Sequence, residues 1–150
     1  YILNGGKCQI GVESTIINLT TKPTILRFGG LDILEIEKIL KRRVVIDTSS
    51  KKKIAPGRFP LHYSPGIPLR TNVKDPKTNE AFLLIKKRKI TSKNYYYLSK
   101  KNDLKQAAKN LYSLLRSIKK DGYKMIAVEK IPNIGIGKTL NDRLNRASKF

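Results

Sequence analysis

This sequence predicts an α/β fold with a largely parallel sheet, divided by a proline-rich linker. Three observations carry that prediction. Short apolar or aromatic runs alternate with amphipathic stretches of helical period over the second half of the chain. The prolines Pro56, Pro60, Pro65 and Pro68 crowd one stretch that can hold neither a helix nor a central strand. The clearest helix, Asp103 to Lys120, places Leu104, Ala107, Ala108, Leu111, Leu115 and Ile118 on one face, and Gly122 stands where a helix is closed.

The remaining elements follow in order. Tyr1-Ile2-Leu3 runs straight into Asn4-Gly5-Gly6 and reads as a strand end entering a turn, so the expectation is a chain cut in its middle. Ile10 to Leu19 reads as a strand on the strength of Val12, Thr15, Ile16 and Ile17. Thr24 to Phe28 is a second strand, ended by Gly29-Gly30. Asp32 stands at a helix cap, with Glu35 at capping-box spacing and Ile33, Ile36, Ile39 and Leu40 as the apolar stripe. Val44 to Ile46 is a third strand. Residues 47–68 form the linker, which proline stiffens and extends. Residues 69–150 hold strands at Ala81 to Ile85, Tyr95 to Leu98 and Met125 to Val128, then a final helix from Lys138 to Ser148 with Leu140, Leu144 and Ala147 inward.

The charge balance is extreme. Lysine and arginine number 32 against 11 acidic residues, a net charge of +21. Such a field attracts polyanions, nucleic acid or nucleotides; the plain alternative is a lysine-rich solvated surface. A single cysteine, Cys8, excludes an internal disulfide and is expected to be a small buried side chain. His62 is the sole histidine, so a His/Cys zinc site is unsupported and no metal ligand is assigned. No apolar run approaches the roughly 20 residues of a membrane span.

Four segments could carry chemistry. In Gly11-Val12-Glu13-Ser14-Thr15-Ile16 the glycine admits a close approach, and strand alternation sends Glu13 and Ser14 to opposite faces. Arg27, ahead of Gly29-Gly30, offers a guanidinium fork to phosphate or carboxylate, or a surface ion pair. Pro56-Gly57-Arg58 and His62-Tyr63-Ser64-Pro65 put polar and aromatic groups on a stiff loop, as a lid would, or as an anchor of the linker to a domain face. Gly135-Ile136-Gly137-Lys138-Thr139 imitates a phosphate-binding loop, but Pro132 occupies the place of its first glycine, which favours a tight strand-to-helix turn.

In this order and spacing, these segments, with Asn141-Asp142-Arg143-Leu144-Asn145-Arg146-Ala147 at the end, resemble the long, two-domain form of the YrdC-like threonylcarbamoyl-AMP synthases. The resemblance covers nearly the whole chain. It implies that residues 1–46 are the tail of a twisted-sheet YrdC-like catalytic domain, 47–68 a linker that folds over the active site, and 69–150 a small Rossmann-like accessory domain. It implies condensation of L-threonine, bicarbonate and ATP into threonylcarbamoyl-AMP, in the cytoplasm, with Mg²⁺ arriving on the nucleotide. A partner transferase would pass the group to tRNA, and tRNA is a further candidate partner. Residue by residue, Ser14 matches the serine that contacts threonine, Arg27 the arginine that holds the nucleotide phosphate, and Tyr63 the linker aromatic that closes on ATP, with His62 beside it. Phe28 stands where the family has proline after that arginine, and Pro60 and Leu61 alter the middle of the linker motif. The family's Lys-x-Arg and Ser-x-Asn motifs have no counterpart in place here, so the catalytic residues are expected upstream of Tyr1 and these 150 residues alone are expected to be inactive. The rival class is a basic RNA-binding module that stacks bases on Tyr95-Tyr96-Tyr97.

Overall fold

The computed structural model describes residues 1–6, 8–47 and 63–149. Among them two sheets form. The first joins β1 (Ile16–Asn18), β2 (Thr24–Arg27) and β3 (Val45–Ile46) in that order. β1 and β2 are antiparallel, with a bulge between Ile16 and Ile17, whereas β2 and β3 are parallel across α1 (Ile33–Leu40). Asp32 caps α1 by accepting from the Leu34 N–H at 3.1 Å. Ile33 and Ile36 close a small core with Ile25.

Three expectations fail in this first part. The strand foreseen from Ile10 to Leu19 is reduced to Ile16–Asn18. Upstream of it the backbone is spent elsewhere: Gly11, at φ +77°, lies so close to a later helix that a Cβ there would stand 2.3 Å from Lys109 Cα, and the Glu13 carbonyl accepts from the Gly30 N–H at 2.9 Å. Ile39 is 78% exposed and leaves the apolar stripe to its neighbours. Cys8 is exposed rather than buried.

The second sheet has order β4 (Leu69–Val73), β7 (Ile126–Glu129), β5 (Ala81–Leu84), β6 (Tyr95–Tyr97), and every pairing in it is parallel. The largely parallel sheet is therefore as the sequence predicts. The central strands β5 and β7 are almost wholly apolar and buried, as strands covered on both faces must be. One face packs against α2 (Leu104–Lys120) and α3 (Gly137–Ala147) in a core that includes Leu83, Leu111, Leu115, Ile118, Val128 and Leu144. The other face holds Phe82, Leu84 and Ala127, flanked by Val73, Tyr95 and Tyr97. Tyr96 points to the first core and donates to Asp121 at 2.6 Å. The tyrosine run thus serves both faces of the sheet.

Edge strand β4 was not foreseen. Its sequence Leu-Arg-Thr-Asn-Val is mostly polar, only Leu69 is buried, and Asn72 takes a left-handed φ of 59°. It is held at its root by Arg70, whose Nε donates to Glu80 at 2.8 Å and whose NH2 donates at 2.5 Å. Glu80 is 2% exposed and also accepts from the Lys77 N–H. α2 forms as predicted. Asp103 caps it through the Lys105 and Gln106 N–H groups, and Gly122, at φ +88°, closes it. Most of the expected linker, residues 48–62, lies outside the described residues.

α3 carries a feature that joins the two sheets. Its stripe Leu140, Leu144 and Ala147 is buried as expected, and Arg143 is buried with it at 1% exposure. The Arg143 Nε donates to Glu13 at 3.1 Å and NH2 to the Phe28 carbonyl at 2.7 Å, while NH1 donates to Asp142 at 2.5 Å. One turn earlier, the buried Thr139 hydroxyl donates to the Gly29 carbonyl at 2.8 Å. Gly29 in turn has no room for a Cβ, which would meet Ser14 and Thr15 backbone at 2.2 Å. The tight turn is therefore at Gly135-Ile136, and Gly137-Lys138-Thr139 form the first turn of α3, with the threonine committed to docking.

Removing one member of a buried ion pair strands the other, so Arg143→Leu should cost about 3 kcal/mol of stability, measured by urea unfolding. Glu80 gives a pH test. Hydrogen bonding from Arg70 holds its carboxyl below the ordinary 4.5, in spite of burial. Its contribution is present above 4.5 and is lost as pH falls through the lower folded value. Glu80→Gln should therefore melt below the parent at pH 7, and the difference in Tm should shrink in acid below that value.

Candidate functional site

Ser14 lies immediately before β1, and Arg27 is the last residue of β2. The antiparallel pairing of those strands brings the two together across the sheet. Arg27 grips the Ser14 carbonyl with two N–H groups, Nε at 3.2 Å and NH2 at 2.9 Å, and NH2 also reaches the Ser14 hydroxyl at 3.1 Å. The exposed serine hydroxyl and the part-exposed guanidinium thus form one polar patch on a rigid hairpin. The close packing of Gly29 on Ser14 fixes the chain that carries it.

Glu13, the residue before Ser14, meets the third predicted residue. The Tyr63 ring meets both the Arg143 guanidinium, 4.5 Å from its centroid, and the Tyr112 ring, stacked at 5.6 Å and 20°. Tyr63 also holds a left-handed φ of 72°, which an aromatic residue adopts only when its surroundings impose it. Burial, then a hydrogen bond to Glu13, push the Tyr63 hydroxyl up to about 12. Arg27 is near enough to act on the same ionisation in the opposite sense. Burial alone would raise the Glu13 carboxyl. The Tyr63 hydroxyl, the Glu13 N–H and Arg143 outweigh it, so the group stays ionised below the usual carboxylate range.

Three of the four residues singled out in the sequence therefore converge. Ser14 and Arg27 touch, and Tyr63 joins them through Glu13. His62 lies outside the described residues. Sequence reasoning gave no role to Glu13, Tyr112 or Arg143. A signal for Arg143 existed: it sits on the stripe of Leu140, Leu144 and Ala147, and an arginine on a buried stripe calls for a carboxylate. Among the described residues no group of three His, Cys, Asp or Glu side chains could hold a metal ion, and no helix is long and apolar enough to cross a membrane.

The model of one protein family matches residues 32–149, and its description is "Threonylcarbamoyl-AMP synthase, C-terminal domain". The chain is 31% identical to the threonylcarbamoyl-AMP synthase of Pyrococcus abyssi, over 99% of its own length and 49% of the relative's. It is 27% identical to that of Bacillus subtilis, over 98% of the chain and 48% of the relative. Among solved structures it is similar to P. abyssi Sua5 complexed with L-threonine, with a TM-score of 0.78 and 29% identity, over 96% of this chain and 48% of that one. The chain spans about half the length of the curated relatives it matches. The family match extends over most of the sequence, and the chain belongs to the threonylcarbamoyl-AMP synthase family, in the portion that forms its C-terminal domain.

Proposed function

We propose that this chain is the C-terminal portion of an L-threonylcarbamoyladenylate synthase, a nucleotidyltransferase that makes threonylcarbamoyl-AMP from L-threonine, bicarbonate and ATP for tRNA modification. The observation that carries the proposal is the contact between Ser14 and Arg27 beside the seat of Tyr63. In this reading residues 1–46 complete the catalytic sheet, 47–68 are the lid and 69–150 the accessory domain. The main catalytic motifs belong to an N-terminal portion of the protein.

Each residue then has a defined task. Ser14 offers its hydroxyl to threonine. Arg27 holds the nucleotide phosphate with a planar fork already oriented by the Ser14 carbonyl, so little freedom is lost when phosphate arrives. Positive charge there stabilises electron density moving onto pyrophosphate. Tyr63, with His62 beside it, closes over ATP and keeps water from an acyl-phosphate anhydride that water would hydrolyse. Mg²⁺ enters with ATP. The product goes to a partner transferase in the cytoplasm, and the net charge of +21 supports contact with tRNA.

The test is threonine- and bicarbonate-dependent pyrophosphate release by the full-length protein that carries this chain. Arg27→Ala should lower kcat/KM for ATP by about tenfold or more, the worth of one charge-assisted contact, with folding intact. Ser14→Ala should raise KM for threonine and leave that for ATP nearly unchanged. Unaltered kinetics in both variants would sink the assignment. Tyr63→Phe keeps the ring on Arg143 and should retain most activity, while Tyr63→Ala should release more free AMP by hydrolysis of the intermediate, read by chromatography of the nucleotides.

A further inference from the structure

A cavity of about 500 Å³ opens at the C-terminal ends of β5 and β6, away from Ser14, Arg27 and Tyr63. Lys87, Tyr97, Ser99, Lys100, Gln106 and Asn110 line it. Lys87 follows β5, Ser99 and Lys100 follow β6, and Gln106 and Asn110 lie in the first turns of α2. The chain leaves β5 outward to the edge strand β6 and leaves β6 inward to β7. In open parallel sheets ligands bind outside the carboxyl ends of the strands, and this cavity lies at that edge of the sheet.

The polar groups in this crevice are incompletely used. The Tyr97 hydroxyl oxygen is buried and has no hydrogen-bond partner among the described residues. Ser99 is 1% exposed. Its Oγ accepts from the Lys101 N–H at 3.2 Å and from the Asp103 N–H at 2.9 Å, so its proton is what remains to give. Gln106 Oε1 accepts from the Lys100 N–H, which fixes the amide and leaves its NH2 as donor. Asn110 is fixed the other way, since Nδ2 donates to the Leu98 carbonyl and Oδ1 remains as acceptor. The nearest described carboxylates are engaged elsewhere: Asp103 caps α2, and Glu129 accepts from Arg88 and the Ile85 N–H. The lining therefore presents two ammonium groups and three further donors against a single amide acceptor.

We propose that this cavity is a second ligand site, for an organic phosphate of nucleotide size, with Lys87 and Lys100 on the phosphate and Tyr97, Ser99 and Gln106 completing the donor set. Burying the Tyr97 hydroxyl without a partner is costly, and an oxyanion would accept from it and from the Ser99 hydroxyl. A volume of this order matches the clefts that hold small cofactors. The site stands apart from the proposed synthase chemistry and does not depend on it.

Binding of AMP to the 150-residue chain, by isothermal titration calorimetry, tests the site. AMP should bind saturably, and inorganic phosphate should compete. Lys87→Ala with Lys100→Ala should weaken binding by about tenfold or more, and Tyr97→Phe should weaken it with the fold preserved by circular dichroism. Arg27→Ala should leave it unchanged, which separates this site from the proposed catalytic one. Lys105→Ala with Lys109→Ala removes equal charge outside the cavity and should also leave it unchanged. No saturable binding, loss on Arg27→Ala, or equal loss in the two double-lysine variants would overturn the proposal.

Discussion

A guanidinium is among the most expensive groups to remove from water, and Arg143 is removed almost completely. What makes this tolerable is that each edge of the group is used. Glu13 supplies the opposing charge, the Phe28 carbonyl and Asp142 take further N–H groups, and the Tyr63 ring covers one face. Three of those four partners come from outside α3 and from two distant parts of the chain. The arrangement ties the first sheet, the segment at Tyr63 and the second sheet to one another through a single side chain. Glu13 precedes Ser14, and Phe28 follows Arg27, so the backbone that positions the candidate site is held from both sides by the same guanidinium. An accessory helix far along the sequence thereby sets the geometry of a patch it does not line.

The charge distribution has the same logic. In the ion pairs formed among the described residues the cation is arginine: Arg43 with Glu37, Arg70 with Glu80, Arg88 with Glu129, Arg143 with Glu13 and Arg146 with Asp142. Acidic residues are scarce, and in two of these pairs, Arg70 with Glu80 and Arg146 with Asp142, the fork reaches both oxygens. Arginine is the better choice there, because a planar, weakly hydrated cation loses less on burial than ammonium. The 23 lysines instead supply the outward field. The excess of +21 therefore has two components with different consequences. Arginines such as Arg70 and Arg143 hold the fold, while the lysines supply the attraction of anions.

Much of the fold was legible because period and punctuation agreed. α2 has a complete apolar stripe, an aspartate cap and a closing glycine, and it forms over the expected residues. The parallel sheet was legible from the apolar runs of β5 and β7, which admit only a site covered on both faces. Failures arose where tertiary contacts override local preference. Gly11 to Thr15 has the composition of a strand, but its backbone is recruited by α2 and by Gly30. β4 has the composition of a loop, yet an edge position beside β7 and the Arg70 to Glu80 contact suffice to order it. Of the candidate site, Ser14, Arg27 and Tyr63 were readable through the order and spacing of their motifs. The clasp of Arg143 was not, since a contact spanning 130 positions leaves no local pattern beyond one arginine on an apolar stripe.

The seat of Tyr63 ties these points together. In the structure its ring contacts Arg143 and Tyr112, both from the second part of the chain, while its hydroxyl answers to Glu13 from the first. Any displacement of that ring exposes a face of the buried guanidinium and removes a hydrogen bond that helps keep Glu13 ionised. Both losses weaken the same ion pair. The position of Tyr63 and the docking of α3 on the first sheet are therefore coupled energetically, and the sign is fixed: what holds the ring in this seat also tightens the clasp, and what loosens the clasp frees the ring. A residue in a left-handed conformation, held by contacts with Arg143 and Tyr112, is placed to carry that coupling.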